Sequence, residues 1–270
     1  MKAREIIIYL SIKNNGNWVK TYNDILNLKN EDDKNKIIDE EEAKKLLKNI
    51  HSKVLTILDE GFPDSLKTIS RPPFCLFYHG DISLLDCKMN SIAVVGSRKY
   101  SEYGKNCTNN LVKDLAKELT IVSGMAIGID SIAHNAALSV NGKTIAVLGS
   151  GINYVYPSEN KDLYEIIKRK GLIISEYYDC TTPTAKSFPW RNRIVAGLTN
   201  CVLVPEGKIN SGSQITASMV ANNGGYVCCV PTRCGEESLC NLLIKQGACL
   251  VENSNDVYEE MGYQKHKPEF

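Results

Sequence analysis

Ile92-Ala93-Val94-Val95 runs directly into Gly96-Ser97-Arg98. Four consecutive apolar residues, with no polar alternation, suit a strand buried on both faces. The glycine that follows lets the chain turn sharply and come close to a neighbour. The same pattern recurs along the chain. Leu119-Thr120-Ile121-Val122, Thr144-Ile145-Ala146-Val147-Leu148, Leu172-Ile173-Ile174, Cys201-Val202-Leu203-Val204 and Tyr226-Val227-Cys228-Cys229-Val230 are further apolar runs. Segments of helix length and spacing lie between them, among them Tyr103 to Lys117 and Asp130 to Ser139. Strand alternating with helix predicts an α/β fold with a doubly wound parallel sheet. Ligands of such sheets sit at the carboxyl ends of the strands.

Four of those strand ends carry turn chemistry: Gly96-Ser97-Arg98, Ser123-Gly124-Met125-Ala126-Ile127-Gly128-Ile129-Asp130, Gly149-Ser150-Gly151 and Ser211-Gly212-Ser213-Gln214-Ile215-Thr216-Ala217. Glycine admits a ligand close to the backbone, and the next helix presents unpaired N–H groups to an anion. Ser97, Ser123, Ser211 and Ser213 add hydroxyls. A single such turn is often steric, but four on one sheet edge point to an anion. Neither the dinucleotide fingerprint nor a P-loop lysine pattern is present. The turns therefore suggest a Rossmann-like sheet without the redox-cofactor turn, and no cofactor is expected.

A second cluster is Lys186-Ser187-Phe188-Pro189-Trp190-Arg191-Asn192-Arg193. The chain holds seven arginines against 25 lysines, and two of the seven stand here, with a third at Arg98. Scarce arginine at chosen places suggests planar, two-pronged contact, and aromatic faces stack on bases. The bland alternative is a helix start with surface arginines. His134 follows Asp130 at i+4, which suits either an acid/base pair or a helix-start carboxylate with a locally bonded histidine; the second is preferred. Glu176 and Glu206 lie at strand ends, placed to orient a lysine or a backbone amide. No nucleophile–base pairing compels an enzyme assignment.

Bulk properties limit the alternatives. Net charge is +1 with 23% charged residues, so any nucleic-acid site is a local patch rather than a basic domain. The ten cysteines include no C-x-x-C pair and several stand in apolar runs, which suits reduced core residues in a cytoplasmic protein with no structural metal. No leader and no apolar stretch of about 18 residues is evident, so no membrane contact is expected. Residues 1–61 read as a small helical module, with Ala43, Leu46, Leu47 and Ile50 at helical spacing and acids preceding bases in Glu40 to Lys45. After the turn residues Gly61-Phe62-Pro63, residues 62–270 form the second domain, opening with a short strand at Phe74 to Tyr78.

These motifs, taken together from about residue 61 to 250, closely resemble the DNA-processing protein A family (DprA, also called Smf). The match adds Phe62-Pro63-Asp64-Ser65-Leu66, Pro72-Pro73, Tyr156-Pro157-Ser158-Glu159-Asn160, Ser175-Glu176-Tyr177 and Asn241-Leu242-Leu243-Ile244 to those quoted. The resemblance implies an extended Rossmann-like, doubly wound, mostly parallel sheet preceded by a small helical SAM-like module. It implies single-stranded DNA binding, homodimerisation, and loading of the RecA recombinase during natural transformation. It places the DNA pocket at Arg98, around Ser123, Gly124 and Gly128, and around Phe188, Arg191 and Arg193. The sequence departs from the family at Glu206-Gly207, at Gln214 and at Val230-Pro231-Thr232, and leaves too few residues after Val251 for a C-terminal winged helix.

The expected function is thus a non-catalytic binder of single-stranded DNA. Arg98, Lys186, Arg191 and Arg193 neutralise phosphates, Phe188 stacks on a base, and Asn192 together with the turn residues Ser97, Ser123, Gly124, Gly128, Ser211, Gly212 and Ser213 completes the cradle. Two rivals use the same strand edge: a sensor of a small nucleotide, and a nucleoside-monophosphate hydrolase of the lysine-decarboxylase-like group. The hydrolase group's Pro-Gly-Gly-x-Gly-Thr turn is absent.

Overall fold

Each apolar run from Ser91 onward is a strand in the computed structural model, which describes residues 1–29 and 31–263. Asn30, in the polar run Lys29 to Lys36, and residues 264–270, at the end of the expected second domain, lie outside the described residues. The amino-terminal part contains α1 (Ala3–Lys13), α2 (Trp18–Asn27), α3 (Glu31–Ile37) and α4 (Glu40–Lys48). Next come β1 (Lys53–Thr56), the one-turn α5 (Asp64–Lys67) and β2 (Cys75–Gly80). The alternating part follows: β3 (Ser91–Val94), α6 (Glu102–Leu115), β4 (Thr120–Ser123), α7 (Ile129–Ser139), β5 (Thr144–Gly151), α8 (Lys161–Lys170), β6 (Leu172–Tyr177), α9 (Ser187–Gly197) and β7 (Cys201–Val204). It closes with α10 (Gly212–Asn222), β8 (Tyr226–Cys229), α11 (Leu239–Lys245), β9 (Cys249–Leu250) and α12 (Ser254–Glu260).

The strands form one nine-stranded sheet in the order β1-β2-β6-β5-β4-β3-β7-β8-β9. From β6 to β9 all neighbours are parallel, while β1 and β2 add an antiparallel margin. Period-2 alternation sends successive side chains of one strand to opposite faces. Ile92 and Val94 enter the core built with α6, α7 and α12. Ala93 and Val95 enter the core built with α9, α10 and α11. Both faces are covered, which is why the runs show no polar alternation.

Winding proceeds from β3 through β4 and β5 to β6, then jumps back across β3 to β7. The crevice between β3 and β7 is the topological switch point, where a doubly wound sheet opens a binding cleft.

The helical module docks on the sheet through one helix that serves two cores. Ile7 and Ile8 of α1 pack with Phe77 and Ile173, while Tyr9 and Leu10 pack with Ile38 and Ala43 of the module. Arg4 ties the docked helix down, bonding Asp59 at 2.8 Å and the Val54 carbonyl at 2.9 Å. Asp39 caps α4 by accepting from the Glu41 and Glu42 amides, both at 3.0 Å. The sheet begins earlier than the expected start of the second domain at 62, because β1 pairs Val54 with Phe77. Among the described residues, no helix is long and apolar enough to cross a membrane.

Candidate functional site

Three turns at the carboxyl edge meet at the switch point. After β3, Gly96 lies so close to the Glu206 carbonyl and Ile129 that a Cβ would collide with both. The Ser97 amide donates to the Glu206 carbonyl at 2.8 Å, and the Ser97 hydroxyl donates to the Lys99 carbonyl at 2.5 Å. This closes the turn and leaves Arg98 and Lys99 exposed at its crest. After β4, Gly128 adopts φ 89° against the Ser97 carbonyl, a conformation natural only to glycine. After β7, the Asn210 amide donates to Gln214 Oε1 at 2.7 Å, so the unusual Gln214 closes its own loop.

Glu206 locks the first and third turns together. Its carboxylate accepts from the Ser101 amide at 3.0 Å and the Ser101 hydroxyl at 2.6 Å. Gly104 is required beneath it, since any Cβ would strike the carboxylate. The sequence expectation that Glu206 orients a backbone amide thus has its partner.

The expected turn at Gly149-Ser150-Gly151 is not a turn. β5 continues through Gly149, Ser150 and Gly151. None of the three lines the cavity; Gly149 instead leaves room for the Phe188 ring, whose Cδ1 lies 2.8 Å from where a Cβ would stand.

The result is an open cavity of about 740 Å³. Of the predicted residues, Ser97, Arg98, Gly124, Phe188, Arg191, Asn192, Ser211, Gly212 and Ser213 line it. Its mouth is aromatic and cationic: the Arg98 guanidinium sits 5.5 Å from the Phe188 ring centroid, and Tyr156 meets that ring at 5.5 Å. Arg98, Lys99 and Lys208 are exposed around the mouth, and none has an ion-pair partner among the described residues. On the far wall α10 begins with no side-chain cap, and the buried Ser211 hydroxyl has no hydrogen-bond partner. Uncapped N–H groups and a spare hydroxyl favour an anion there. Asn192 Nδ2 holds this wall by donating to the Gly212 carbonyl at 3.2 Å.

The floor holds two buried titratable groups, Arg191 and Asp130. Arg191 donates through Nη1 to the carbonyls of Gly124, at 2.6 Å, and Val147. Burial pulls its guanidinium down to about 10, which still leaves it charged at neutral pH. Burial raises the Asp130 carboxyl, and the charge of Arg191 opposes that shift. Asp130 accepts from the Ala126 amide at 3.3 Å, while His134 Nδ1 meets Thr144 Oγ1 at 2.6 Å. Asp130 and His134 therefore serve separate partners rather than forming an acid/base pair.

Four predicted residues are placed elsewhere. The Ser123 hydroxyl is buried and donates to the Val94 carbonyl at 2.6 Å, joining β4 to β3. Gly128 supports the first turn from behind. Lys186 lines a neighbouring groove. Arg193 faces away from the cavity and pairs with Glu176 at 2.6 Å, both side chains being buried. Sequence reading passed over Lys99 and Lys208 in the cavity and Tyr156 at its mouth. Their signal was position, each lying in the first residues beyond a strand.

The family model of DNA recombination-mediator protein A matches residues 53–262. DNA processing protein DprA of Streptococcus pneumoniae is 42% identical over 210 residues, 77% of this chain and 74% of that protein. Its crystal structure superposes with a TM-score of 0.78 at 39% identity, covering 85% of this chain and 80% of that one. DNA processing protein A of Helicobacter pylori, solved for its single-stranded DNA binding mode, gives a TM-score of 0.71 at 32% identity, covering 79% and 99%.

Proposed function

The chain belongs to the DNA recombination-mediator protein A family, and from that premise we propose that its cavity binds single-stranded DNA. The observation that carries this reading is the pairing of Arg98 with Phe188 at the mouth of the cleft. A stacked guanidinium and ring offer a base a flat face and a phosphate a fork. Lys99, Lys208 and the uncapped start of α10 supply further anion contacts. Strand-end turns and helix starts line the cavity, so the grip is on backbone and base faces and is indifferent to sequence. Arg191 lines the floor with its Nη1 committed to the Gly124 and Val147 carbonyls, and so shapes the cavity rather than gripping a phosphate.

We read the strand held here as protected and passed to the recombinase RecA during transformation; the family's description as a recombination mediator favours hand-over to a recombinase. It does so in the cytoplasm as a homodimer, with the exposed Leu250 on edge strand β9 offering a place for a second copy. The protein acts as a binder and not as an enzyme.

The test is fluorescence anisotropy of labelled oligothymidylate against a duplex of equal length, for the native chain and Arg98→Ala. Strong preference for the single strand, lost in the variant, supports the reading. Equal weak binding to both, unchanged by the substitution, overturns it. Tight mononucleotide binding without preference for longer strands assigns a sensor, and release of free base from a nucleotide assigns a hydrolase.

A further inference from the structure

A second groove, of about 290 Å³, lies beside the main cavity, where the helical module meets the sheet. Thr184 lines both, and the first turns of α9 divide them: Phe188 and Pro189 face the cavity, Ser187 and Trp190 the groove. The chain contains two tryptophans, and both line this groove. Between them stands Arg71, its guanidinium 6.0 Å from the Trp18 ring and 5.5 Å from the Trp190 ring.

The arrangement is held from outside. Arg71 has φ 59°, a conformation uncommon for a residue with a side chain, and its carbonyl accepts from Arg193 Nε at 2.9 Å. Trp18 Nε1 donates to the Pro72 carbonyl at 2.7 Å and Trp190 Nε1 to Glu176 at 2.9 Å, so both rings are fixed by their edges. Glu176 is already neutralised by Arg193. Arg71 and the exposed Lys186 have no carboxylate partner among the described residues. The indole faces are already engaged, Trp18 by Tyr22 and Phe74 at 4.9 and 5.4 Å and Trp190 by Arg193 at 4.4 Å, so what the groove offers a ligand is the two cations without a carboxylate.

Resting on the single-strand reading of the main cavity, we propose that this groove is a second station on the same strand. The strand leaves the cavity over residues 183–187 and sets a phosphate on Arg71 and Lys186, beside the two indoles. The helical module would then contribute directly to the DNA track, through Trp18.

Because both tryptophans are in the groove, their emission reports on it without a label. Emission is followed with oligothymidylate anisotropy in the full chain, using strands of about four and about fifteen nucleotides, the span of common single-strand site sizes. The longer strand is expected to quench the emission, and the shorter to bind without changing it. Arg71→Gln is expected to weaken the longer strand about tenfold and leave the shorter unchanged, in keeping with the loss of one charged contact. Should that variant not fold, Lys186→Gln, an exposed side chain on the same rim, makes the same comparison. The groove is excluded as a station if the longer strand binds, in an Arg98-dependent way, with emission and Arg71→Gln both indifferent. It is also excluded if Arg71→Gln weakens both lengths equally. If neither strand raises the anisotropy of the native chain, the cavity reading itself fails and the groove proposal falls with it.

Discussion

Arg191 Nη1 donates to the Gly124 carbonyl at 2.6 Å, and the guanidinium lies where a Cβ of residue 124 would stand. The second glycine turn owes its glycine to a protein side chain, before any ligand is considered. Gly124→Ala is therefore expected to displace Arg191 and destabilise the fold by about 1–3 kcal/mol, the usual cost of overpacking. A urea midpoint equal to that of the native chain would show that the floor yields freely.

His134 gives the fold an acid limit. The Thr144 hydroxyl donates to the Ile121 carbonyl at 2.9 Å, so His134 Nδ1 carries the proton in their contact and Nε2 is left buried without a partner. Burial, reinforced by the charge of Arg191, lowers the imidazole from 6.5 to about 3. Below about pH 6.5 the unfolded chain therefore takes up a proton that the fold refuses. Stability falls from there towards about pH 3, by about 1.4 kcal/mol per pH unit. Asp130 acts in the opposite sense, since its raised carboxyl favours the fold in acid and loses that contribution as pH rises through its folded value. Urea midpoints from about pH 7 to about pH 4 should fall more steeply for the native chain than for His134→Gln; parallel curves would remove His134 as the cause.

Arg193 and Arg98 should separate stability from binding. Arg193→Met leaves Glu176 buried without its cation, at a cost of about 3–5 kcal/mol. Adding Glu176→Gln should recover part of it. The folded fraction should bind a short strand as the native chain does. A loss of short-strand affinity with no loss of thermal midpoint would put Arg193 back at the phosphates.

Arg98→Ala should leave the thermal midpoint unchanged, because the side chain is exposed. It should lower the slope of log affinity against log salt by about 0.7, the value for one phosphate contact on a single strand. Phe188→Leu should weaken binding by about 1–3 kcal/mol with the slope intact, because stacking releases no counterion. Anisotropy titrations at several salt concentrations read both effects.

The strands were legible because burial on both faces writes itself as unbroken apolar runs. β1 was not: Lys53-Val54-Leu55-Thr56 is short and begins with an exposed lysine, and only its partner β2 makes it a strand. β9, at Cys249–Leu250, is shorter still. Gly149-Ser150-Gly151 read as a turn because glycine marks both turns and close approach, and only the Phe188 ring reveals which. Arg191 and Arg193 read as a pair, yet residues two apart on a helix point roughly 200° from each other. One had to face away, and Glu176 decides which. The second groove was invisible because Trp18, Arg71 and Trp190 are far apart in the chain and meet only when the module docks.

The hold of Glu206 on Ser97 and Ser101 reaches across the two halves of the sheet. A cleft between two independently hinged walls would have to close around its guest and wait for that closure. Here the gap is spanned by one residue, whose backbone carbonyl holds Ser97 and whose carboxylate holds Ser101, so its width is set when the chain folds. Capture should then be a single fast encounter whose rate scales with strand concentration and shows no plateau. The ordering cost of binding falls on the DNA alone.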